Sequence, residues 1–474
     1  MTFYDSKSKY LTASAYTYIF IAFLYALGII YWAWFFNFGS IQFSVFDWDK
    51  EYSYYKILKQ SLQTLTVPYH FSQKFQGTFR FLSIPETNLS PLILLLPFFN
   101  IGTFILLNTV IMYSVGFVGT IFIMRKYALS LIQFTFLFLL INFNGHIISH
   151  LSAGHSMWSG YFLLPWLVFF IFQMLETKPK NTSSVKIALV LFGMLLLGSV
   201  HFFIWSCMFL LLIALFNLKY LSRIFQSVAL SALLGIFRLV PALNTFVNTK
   251  NIYTQGFNSV HDFVNAFISS EPVNAFKMIG PIKNYWLEYD IYIGVVGVLP
   301  IAVFGIYMRF KQSLFTEDYS FRKLDFALLI MFLLSLEFIS KIVFQLPVPF
   351  ISAVRLPTRL LIIPVLMLIV ISCIRLQKLM ERYPSDLLKI LTLIGVLLLA
   401  YNLEQHSLTL RNVTGGNYND AGIANLKVSI ITASDYYYKN LELITIASSL
   451  ITSCVLIYYW LNKRLSFKNI KASI

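Results

Sequence analysis

The sequence predicts an all-α polytopic membrane protein, and three observations lead to that class. Of the 474 residues, 58% are hydrophobic and only 12% are charged, whereas about 25% of residues are charged in an ordinary soluble domain. Several apolar runs approach the roughly 20 residues that a helix needs to cross a bilayer. These runs do not alternate as barrel strands do, so helices are the structure that can satisfy their backbone in lipid.

The apolar runs predict about twelve transmembrane helices in one transmembrane domain over residues 1–474. In chain order the predicted spans cover residues 16–36, 103–124, 128–143, 161–175, 187–199, 200–217, 225–243, 291–308, 325–343, 358–374, 388–402 and 440–461. One alternative stays open, in which 187–199 and 200–217 form a single long tilted helix. That alternative would reverse the orientation of every later span.

The distribution of Lys and Arg predicts which ends of the spans face the cytoplasm. Basic residues concentrate in the short connections that lie inside if the N-terminus is inside, such as 125–126, 178–186 and 375–389. This bias follows the positive-inside rule and places both termini in the cytoplasm. The net charge of +16 is explained in the same way, so no nucleic acid is expected as a partner.

The predicted outer side carries the long connections. The first, 37–102, contains an amphipathic segment, "YSYYKILKQSLQTL", and the proline-containing "IPETNLSPLILLLPFF", which is too short to span and is expected to lie in the interface or re-enter. A late outer loop is predicted at 403–439. No polar stretch is long enough to bury a core of its own, so no soluble C-terminal domain is expected.

Cofactor motifs are sparse in this sequence. The three cysteines lie in apolar runs without CxxC spacing, which argues against disulfides and thiolate metal sites. The chain contains neither GxxxxGK[ST] nor GxGxxG, so no nucleotide is expected. The cofactor is left open, with a divalent cation as one alternative.

The first candidate site is the acidic stretch "FDWDKEYSYYK", which follows the first predicted span and contains Asp47, Asp49 and Glu51. In one interpretation these acids belong to a solvated loop. In the other, Asp47 or Asp49 is a general base whose pKa is raised by partial desolvation beside aromatic rings.

The second candidate is "FNGHIISHLSAGHSMWSGY", a short outer turn with His146, His150 and His155. On a helix His146 and His150 share a face, a spacing that suits a metal ion, and Asp47 and Asp49 are candidates for its remaining ligands. The chain has no HExxH motif here, and the alternative is that the three histidines line a wet cavity.

The third candidate is "PFISAVRLPTRLL", in which Arg355 and Arg359 lie at the outer boundary of a span. Two snorkelling side chains are one explanation. Positive charge at an outer end runs against the cytoplasmic bias, however, and guanidinium groups match phosphate oxygens well. We therefore expect these residues to bind a phosphate.

Ionisable residues within or next to apolar runs form the last group. His201 and Arg238 have no local partner and are expected in the wall of a cavity. Glu337 and Lys341 have the i, i+4 spacing of a pair that neutralises itself. Glu288 is a further candidate for substrate binding, although the helix dipole at the start of the next span could explain an acid there.

The order of these blocks resembles the GT-C superfamily of polytopic glycosyltransferases, and its YfhO-like branch in particular. The similarity covers roughly residues 15–375 and consists of "DWDKEYSYYKILKQSL", "VPY", "LSPLILL", "FNGHIISHLSAGHSMWSGYFLLPW", "GSVHFF", "WLEYDIYIGVVGVLP" and "PFISAVRLPTRLL". The segment "HFSQKFQGTFRFLSIPET" stands where relatives have Trp-Asn-Pro and paired glycines, which leaves acceptor recognition open.

The resemblance implies a GT-C-like transmembrane module in the cytoplasmic membrane of a prokaryote. It implies transfer of a sugar from a polyprenyl-phosphate donor to a glycan, lipid or protein acceptor on the extracytoplasmic side. The base would be Asp47 or Asp49, and the donor phosphate would lie beside Arg355 and Arg359, among membrane lipids.

Two other functions are compatible with the sequence. One is a twelve-span transporter or flippase of a lipid-linked saccharide, although the two halves of the chain show no correspondence of the kind common in transporters. The other is a non-catalytic GT-C-like subunit that serves a membrane complex with partner subunits, because fold does not settle function.

Overall fold

The computed structural model describes residues 15–73, 77–176, 182–248, 256–269, 278–279, 284–308, 319–343, 356–414, 428–431 and 435–472. Most of these residues are helical, and the helices are apolar, so the chain is an all-α membrane protein in architecture. Arg355, one of the predicted phosphate ligands, lies outside the described residues.

The principal helices run as follows: α1 Ala15–Phe35, α2 Trp48–Thr64, α3 Ile101–Lys126, α4 Leu131–Asn142, α5 Gly145–Ser152, α6 Leu164–Leu175, α7 Ser183–Leu196, α8 Val200–Phe216, α9 Leu221–Leu234, α10 Ile236–Asn248, α11 Val260–Ile268, α12 Gly294–Pro300, α13 Tyr319–Arg322, α14 Asp325–Leu334, α15 Glu337–Val343, α16 Ile362–Arg382, α17 Asp386–Thr414 and α18 Tyr436–Ala472. Short 3₁₀-helical segments join several of them, notably Pro91–Phe98, Ser156–Leu163, Trp286–Glu288 and Pro357–Leu361. A π-helical segment, Ile301–Tyr307, continues α12.

Among the described residues, seven helices are long and apolar enough to cross a membrane, and eight if the bent pair α9–α10 is counted as one span. Four shorter apolar helices coincide with the remaining predicted spans: Ser183–Leu196, Val200–Phe216, Gly294–Tyr307 and Asp325–Leu334. Each of the predicted spans therefore falls on helical structure. The total of twelve crossings stays a prediction.

Local signals explain where several spans begin and end. The side chain of Asn100 accepts a hydrogen bond from the backbone N–H of Thr103 at 2.7 Å, and Ser130 caps α4 in the same way. Such caps satisfy N–H groups that the first helical turn leaves without partners. At the other end of α3, Arg125 and Lys126 lie in the last turn, where positive charge is favourable.

The alternative of one long helix over 187–217 is wrong. Helix α7 ends at Leu196 and α8 starts at Val200, with Gly198 between them at a φ of +74°. A side chain at Gly198 would meet the carbonyl oxygens of Glu86 and Thr87, at 2.3 and 2.8 Å from its Cβ. The close approach of these backbones explains why a glycine stands at the break.

Three other predicted boundaries need correction. The span at 225–243 is bent by 80° between Leu234 and Ile236. The span at 325–343 is interrupted after Leu334, where the backbone of Phe257 exchanges hydrogen bonds with Ser335 and Glu337. The outer loop predicted at 403–439 starts too early, because α17 continues to Thr414.

Short strands lie between the helices and were not predicted. Strand β1 (His70–Gln73) pairs antiparallel with β2 (Gly77–Arg80) and with β5 (Val428–Ile431), and β3 (Met278–Ile279) pairs with β4 (Asn284–Tyr285). The first sheet ties the long loop after α1 to the segment before α18.

Connections predicted on the cytoplasmic side meet at one end of the helices. Lys126 forms an ion pair with Glu176, and the Lys323 Nζ donates to the carbonyl of Leu175 at 2.6 Å. The Asn217 side chain donates to the carbonyl of Lys323 at 2.9 Å. The end that carries these contacts is separate from the one that carries the acidic loop.

Candidate functional site

Charged and polar side chains that lie in five connections, or within two residues after them, converge at the other end of the helices. We call this group the polar cluster; it consists of Asp47, Lys50, Glu51, Glu86, His150, His155, His201, Glu288 and Arg359. The five connections follow the first, third, fifth, seventh and ninth predicted spans. Alternating crossings would place all of them on the same side of a membrane.

Lys50 holds together the first half of the polar cluster. Its Nζ lies 2.9 Å from Asp47 Oδ2, 3.1 Å from Glu86 Oε2 and 3.9 Å from Glu51 Oε1. Burial lowers the pKa of Lys50, but the three carboxylates outweigh burial and raise the pKa well above its ordinary value. Glu86 continues the chain of contacts, because its Oε1 lies 3.5 Å from His201 Nε2.

His155 and His150 connect Asp47 to the second half of the polar cluster, which consists of Glu288 and Arg359. His155 Nε2 lies 3.5 Å from Asp47 Oδ2, and His155 Nδ1 lies 3.3 Å from His150 Nδ1. His150 Nδ1 lies 3.8 Å from Glu288 Oε2, which also accepts a hydrogen bond from Arg359 Nε at 3.0 Å. Contacts thus run without interruption from Asp47 to Arg359.

Aromatic packing holds the rings in place. The indole of Trp158 lies against the rings of His150 and His155, with centroids 4.3 and 4.9 Å apart. The guanidinium of Arg359 lies 5.0 Å from the centroid of the same indole. A cation over an indole face is a favourable arrangement, and it adds to the pairing of Arg359 with Glu288.

Backbone contacts dock the acidic loop on the histidine segment. The N–H of Asp47 donates to the carbonyl of Ala153 at 3.1 Å, and the indole N–H of Trp48 donates to the carbonyl of Ser152 at 3.1 Å. Gly154 has a φ of +88°, and a Cβ there would lie 2.5 Å from the N of Trp48. This position therefore requires glycine for both its conformation and its space.

We expect Gly154→Ala to destabilise the protein by about 1–3 kcal/mol, through backbone strain and the displacement of the loop at Trp48. The matched control is Gly395→Ala, because a Cβ at Gly395 meets only a Val296 methyl at an ordinary 3.8 Å. Thermal unfolding of the two purified variants in detergent measures the difference. Equal melting temperatures would show that the two loops are not docked in this way.

Asp47 and Asp49 differ in their surroundings. The side chain of Asp47 is 48% exposed and contacts Lys50 and His155, whereas Asp49 is exposed and takes no part in the polar cluster. Burial raises the pKa of Asp47, but the His155 hydrogen bond and the Lys50 charge lower it well below its ordinary value. The raised pKa expected from the sequence is therefore wrong for Asp47, because these partners favour the ionised form.

Glu51 is the acid of this loop whose pKa is raised by burial, the effect that the sequence suggested for Asp47 or Asp49. Its carboxyl is 2% exposed, and it accepts a hydrogen bond from Ser156, whose hydroxyl also lies 2.8 Å from that of Tyr55. Burial raises the pKa of Glu51 to about 7, and the opposing effects of Lys50 and Ser156 are smaller. Glu51 is therefore the carboxyl group of this loop that exchanges a proton near neutral pH.

This raised pKa makes stability depend on pH. The pKa of Glu51 is near 4.5 in the unfolded chain and about 7 in the folded protein. The folded protein therefore gains stability from the protonated carboxyl group. This gain is complete below pH 4.5 and is lost as the pH rises through 7. The loss amounts to about 3 kcal/mol. We expect the melting temperature of the wild type to fall relative to that of Glu51→Gln between pH 5 and 7.5. The control is Glu404→Gln, at an exposed position, whose melting temperature should change with pH as that of the wild type does. Parallel curves for Glu51→Gln and wild type would contradict the prediction.

Two predicted cavity residues lie behind the polar cluster. His146 shares a face of α5 with His150, as expected, but its Nε2 accepts a hydrogen bond from the Trp158 indole at 3.1 Å. Arg238 is 3% exposed and donates to Thr87 and to the carbonyl of Pro85. Arg238 thus supports the loop that carries Glu86, and the prediction that it lines a cavity wall is wrong.

The structure also changes the predicted metal ligands. Among the described residues, one group of three His, Cys, Asp or Glu residues brings its ligand atoms within 4.8 Å of one another, and it consists of His150, His155 and Glu288. Asp47, Asp49 and His146, which the sequence suggested as ligands, are not members of this group; Asp47 contacts the Nε2 of His155, and the Nε2 of His146 accepts a hydrogen bond from Trp158.

Two further pairs lie outside the polar cluster. Glu337 and Lys341 form the ion pair that their spacing predicts. Asp290, two residues after Glu288, lies 2.8 Å from His406 Nε2 and accepts a hydrogen bond from the N–H of Tyr292 at 2.8 Å. Asp290 therefore has specific partners of its own.

Sequence reasoning missed Lys50, Glu86 and Trp158, and it gave Glu51 no separate role. Lys50 lies between Asp49 and Glu51 and could have been grouped with these acids. Glu86 carried no signal beyond being a single acid within "IPET".

Carboxylates, imidazoles and two cations that are linked by contacts of 3.9 Å or less can bind an anion, accept a proton or hold a metal ion. Comparison of the chain with known protein families, curated proteins and solved structures finds no match. The geometry of the polar cluster and the order of the sequence motifs are therefore what supports a function.

Proposed function

We propose that the protein is a GT-C-type glycosyltransferase that moves a sugar from a polyprenyl-phosphate donor to an extracytoplasmic acceptor. The observation that carries the proposal is the continuous chain of contacts between Asp47 and Arg359, which are far apart in sequence. The motif order supplies the reaction class, and this chain of contacts places an acid and a guanidinium group in one site.

The leaving group of such a reaction is a lipid phosphate, which gains negative charge as the glycosidic bond breaks. Arg359 and Lys50 are fixed cations in the polar cluster, with side chains 11% and 30% exposed. Cations that are already oriented stabilise developing charge without reorganisation. In this proposal Arg359 binds the phosphate while keeping contact with Glu288, and Arg355 stays a sequence prediction for the same role.

In this proposal the lipid tail occupies an apolar cavity, one of whose lining residues closely follows Glu288 in the sequence. An apolar cavity of about 710 Å³ lies between helices α11, α12, α14 and α16 and is lined by residues such as Phe263, Phe267, Phe326 and Phe332. Its lining includes Ile293, five residues after Glu288, whose N–H bonds to the carbonyl of Phe267. An isoprenoid chain fits such a surface chemically, and it could lie there while its phosphate reaches Arg359.

Asp47 takes the role of the acceptor-binding acid. It is the most exposed carboxylate of the polar cluster, at 48%, against 22% for Glu86 and 21% for Glu288. Because Asp47 is ionised at neutral pH, it can orient the acceptor hydroxyl, and it receives the proton late, when bond formation has made that hydroxyl strongly acidic. The proposal places this site on the extracytoplasmic side of a prokaryotic cytoplasmic membrane, and it needs no nucleotide.

The test uses the purified protein in lipid nanodiscs. Polyprenyl-phosphate hexoses with a radiolabelled sugar are added one at a time, with an envelope extract as acceptor. We expect one donor to lose its label to the acceptor, with release of free polyprenyl phosphate. If every donor in the panel stays intact while the protein is folded and monodisperse, the proposal fails.

A broken span is the observation that favours a transporter or flippase. Helices α9 and α10 meet at an 80° bend at Gly235, and interrupted helices often line transport paths. The described residues contain one such pair, whereas inverted repeats would supply two. Movement of an intact labelled donor across liposomes, without consumption, would favour this function. Stoichiometric co-purification with a membrane enzyme, again without turnover, would favour a non-catalytic subunit.

A further inference from the structure

We propose that His150, His155 and Glu288 form a binding site for one divalent transition-metal ion, with Zn²⁺ as the best match. The site is a property of the folded chain, and it does not depend on the proposed sugar transfer. It replaces the set of ligands that the sequence suggested.

The distance between the two imidazoles fits a shared metal. His150 Nδ1 and His155 Nδ1 lie 3.3 Å apart. Two nitrogens at about 2.0–2.1 Å from a tetrahedral Zn²⁺ are separated by about 3.4 Å. The carboxylate of Glu288 completes the group, with Oε2 3.8 Å from His150 Nδ1 and all ligand atoms within 4.8 Å of one another. Modest rotations of these side chains bring the three atoms to bonding distance of one ion.

The residues around the ligands form an outer shell of the kind that metal sites use. A ligating histidine ordinarily donates its second N–H to a carboxylate or carbonyl, which fixes the tautomer. His155 has this arrangement, because its Nε2 lies 3.5 Å from Asp47 Oδ2. Arg359 holds the carboxylate of Glu288, and Trp158 packs against both imidazoles. Each of the three ligands is therefore oriented by a neighbour.

Because both imidazoles are buried, the close contact between their ring nitrogens is evidence for a metal site. His150 is fully buried and His155 is 6% exposed. Without a metal, the two Nδ1 atoms can share only one N–H···N hydrogen bond. A metal ion uses both Nδ1 lone pairs at once and leaves both Nε2 atoms as N–H donors.

The ligand set selects the type of ion. Imidazole nitrogens favour zinc and other late transition metals, whereas Mg²⁺ and Ca²⁺ prefer oxygen. Three protein ligands leave a fourth tetrahedral position for water or another oxygen donor. The neighbouring carboxylates of Asp47 and Glu86 already share the Lys50 ammonium. A second cation among those acids is therefore unnecessary, and the imidazole side of the polar cluster is where a metal fits.

The test measures metal binding to the full-length protein without any substrate. The protein is purified through a tag that contains no histidine, stripped with a chelator and titrated with Co²⁺, whose visible absorption reports tetrahedral nitrogen and oxygen ligands. We expect one equivalent to bind, with Zn²⁺ displacing Co²⁺. His155→Gln and Glu288→Gln should lose this binding, and Asp47→Asn should weaken it about 10- to 100-fold by removing the partner of His155.

Control variants separate the site from general effects. His261→Ala changes an exposed histidine, 81% accessible, and should bind like the wild type. Gel filtration and melting temperature check that each variant is folded, and Co²⁺ should raise the melting temperature of the wild type but not that of His155→Gln. The proposal is overturned if the wild type binds no stoichiometric Co²⁺ or Zn²⁺, or if folded His155→Gln and Glu288→Gln bind as tightly as the wild type. Because no sugar donor is present, these outcomes are independent of glycosyltransferase activity.

Discussion

Asp47→Asn is expected to lower sugar transfer at least about 100-fold, the smallest loss typical of removing a general base. The amide keeps the size of the side chain but cannot accept the proton of the acceptor hydroxyl. It also replaces the carboxylate that contacts Lys50 and His155. The measurement is the initial rate of label transfer in nanodiscs, with the donor that the wild type consumes.

Asp49→Asn is the matched control for this prediction. Asp49 is two residues away, in the first turn of α2, carries the same formal charge and is exposed. It should keep nearly the full rate, and its folding should match that of Asp47→Asn by gel filtration. An equal loss in both variants would indicate a general electrostatic effect of the loop. Full activity of Asp47→Asn would remove Asp47 from the mechanism.

The helices could be predicted because apolar length is a local property. Each predicted span falls on helical structure, because a run of apolar residues must satisfy its backbone internally. The breaks were harder to predict, because tertiary contacts decide them. Gly198 ends one helix where it meets the backbone of Glu86, and the contact between Phe257 and Ser335 interrupts another. Neither contact is visible within a window of sequence.

The same distinction applies to the candidate site: some of its residues could be predicted from local sequence, and their contacts could not. Asp47, the histidines and Arg359 were found because each stands out against apolar neighbours. Their connection through His155 and Glu288 required the fold, as did the distinction between Asp47 and Asp49. Glu86 is brought to Lys50 across 36 positions, and a single acid in a polar loop gives no sign of such a partner. The sequence thus supplied the chemical groups, and packing determined which of them meet.

Arg238 shows why a charge in an apolar run can be misread. Its sequence neighbours offer no partner, which suggested a cavity wall. Its actual partners lie about 150 positions earlier, where it donates to the Thr87 hydroxyl at 3.0 Å and to the carbonyls of Pro85 and Thr87 at 3.0 and 2.6 Å. A guanidinium group can satisfy several acceptors at once, so one residue fixes the loop that presents Glu86.

Arg238→Leu is expected to destabilise the protein by about 1–3 kcal/mol, the cost of leaving buried polar groups without their hydrogen-bond partner. Leucine fills part of the volume but leaves the carbonyls of Pro85 and Thr87 without these donors. It also removes a cation whose charge acts on the buried Glu442. Unfolding midpoints in denaturant measure the loss.

The controls decide whether the loss comes from the buried charge. Arg382→Leu removes an exposed arginine at the end of α16 and should change stability by less than about 1 kcal/mol. Glu442→Gln combined with Arg238→Leu should recover part of the loss, because the double variant no longer buries an unbalanced carboxylate. If Arg238→Leu is as stable as Arg382→Leu, its hydrogen bonds to the Glu86 loop contribute nothing. A large loss without recovery in the double variant would assign the effect to the carbonyls of Pro85 and Thr87 alone.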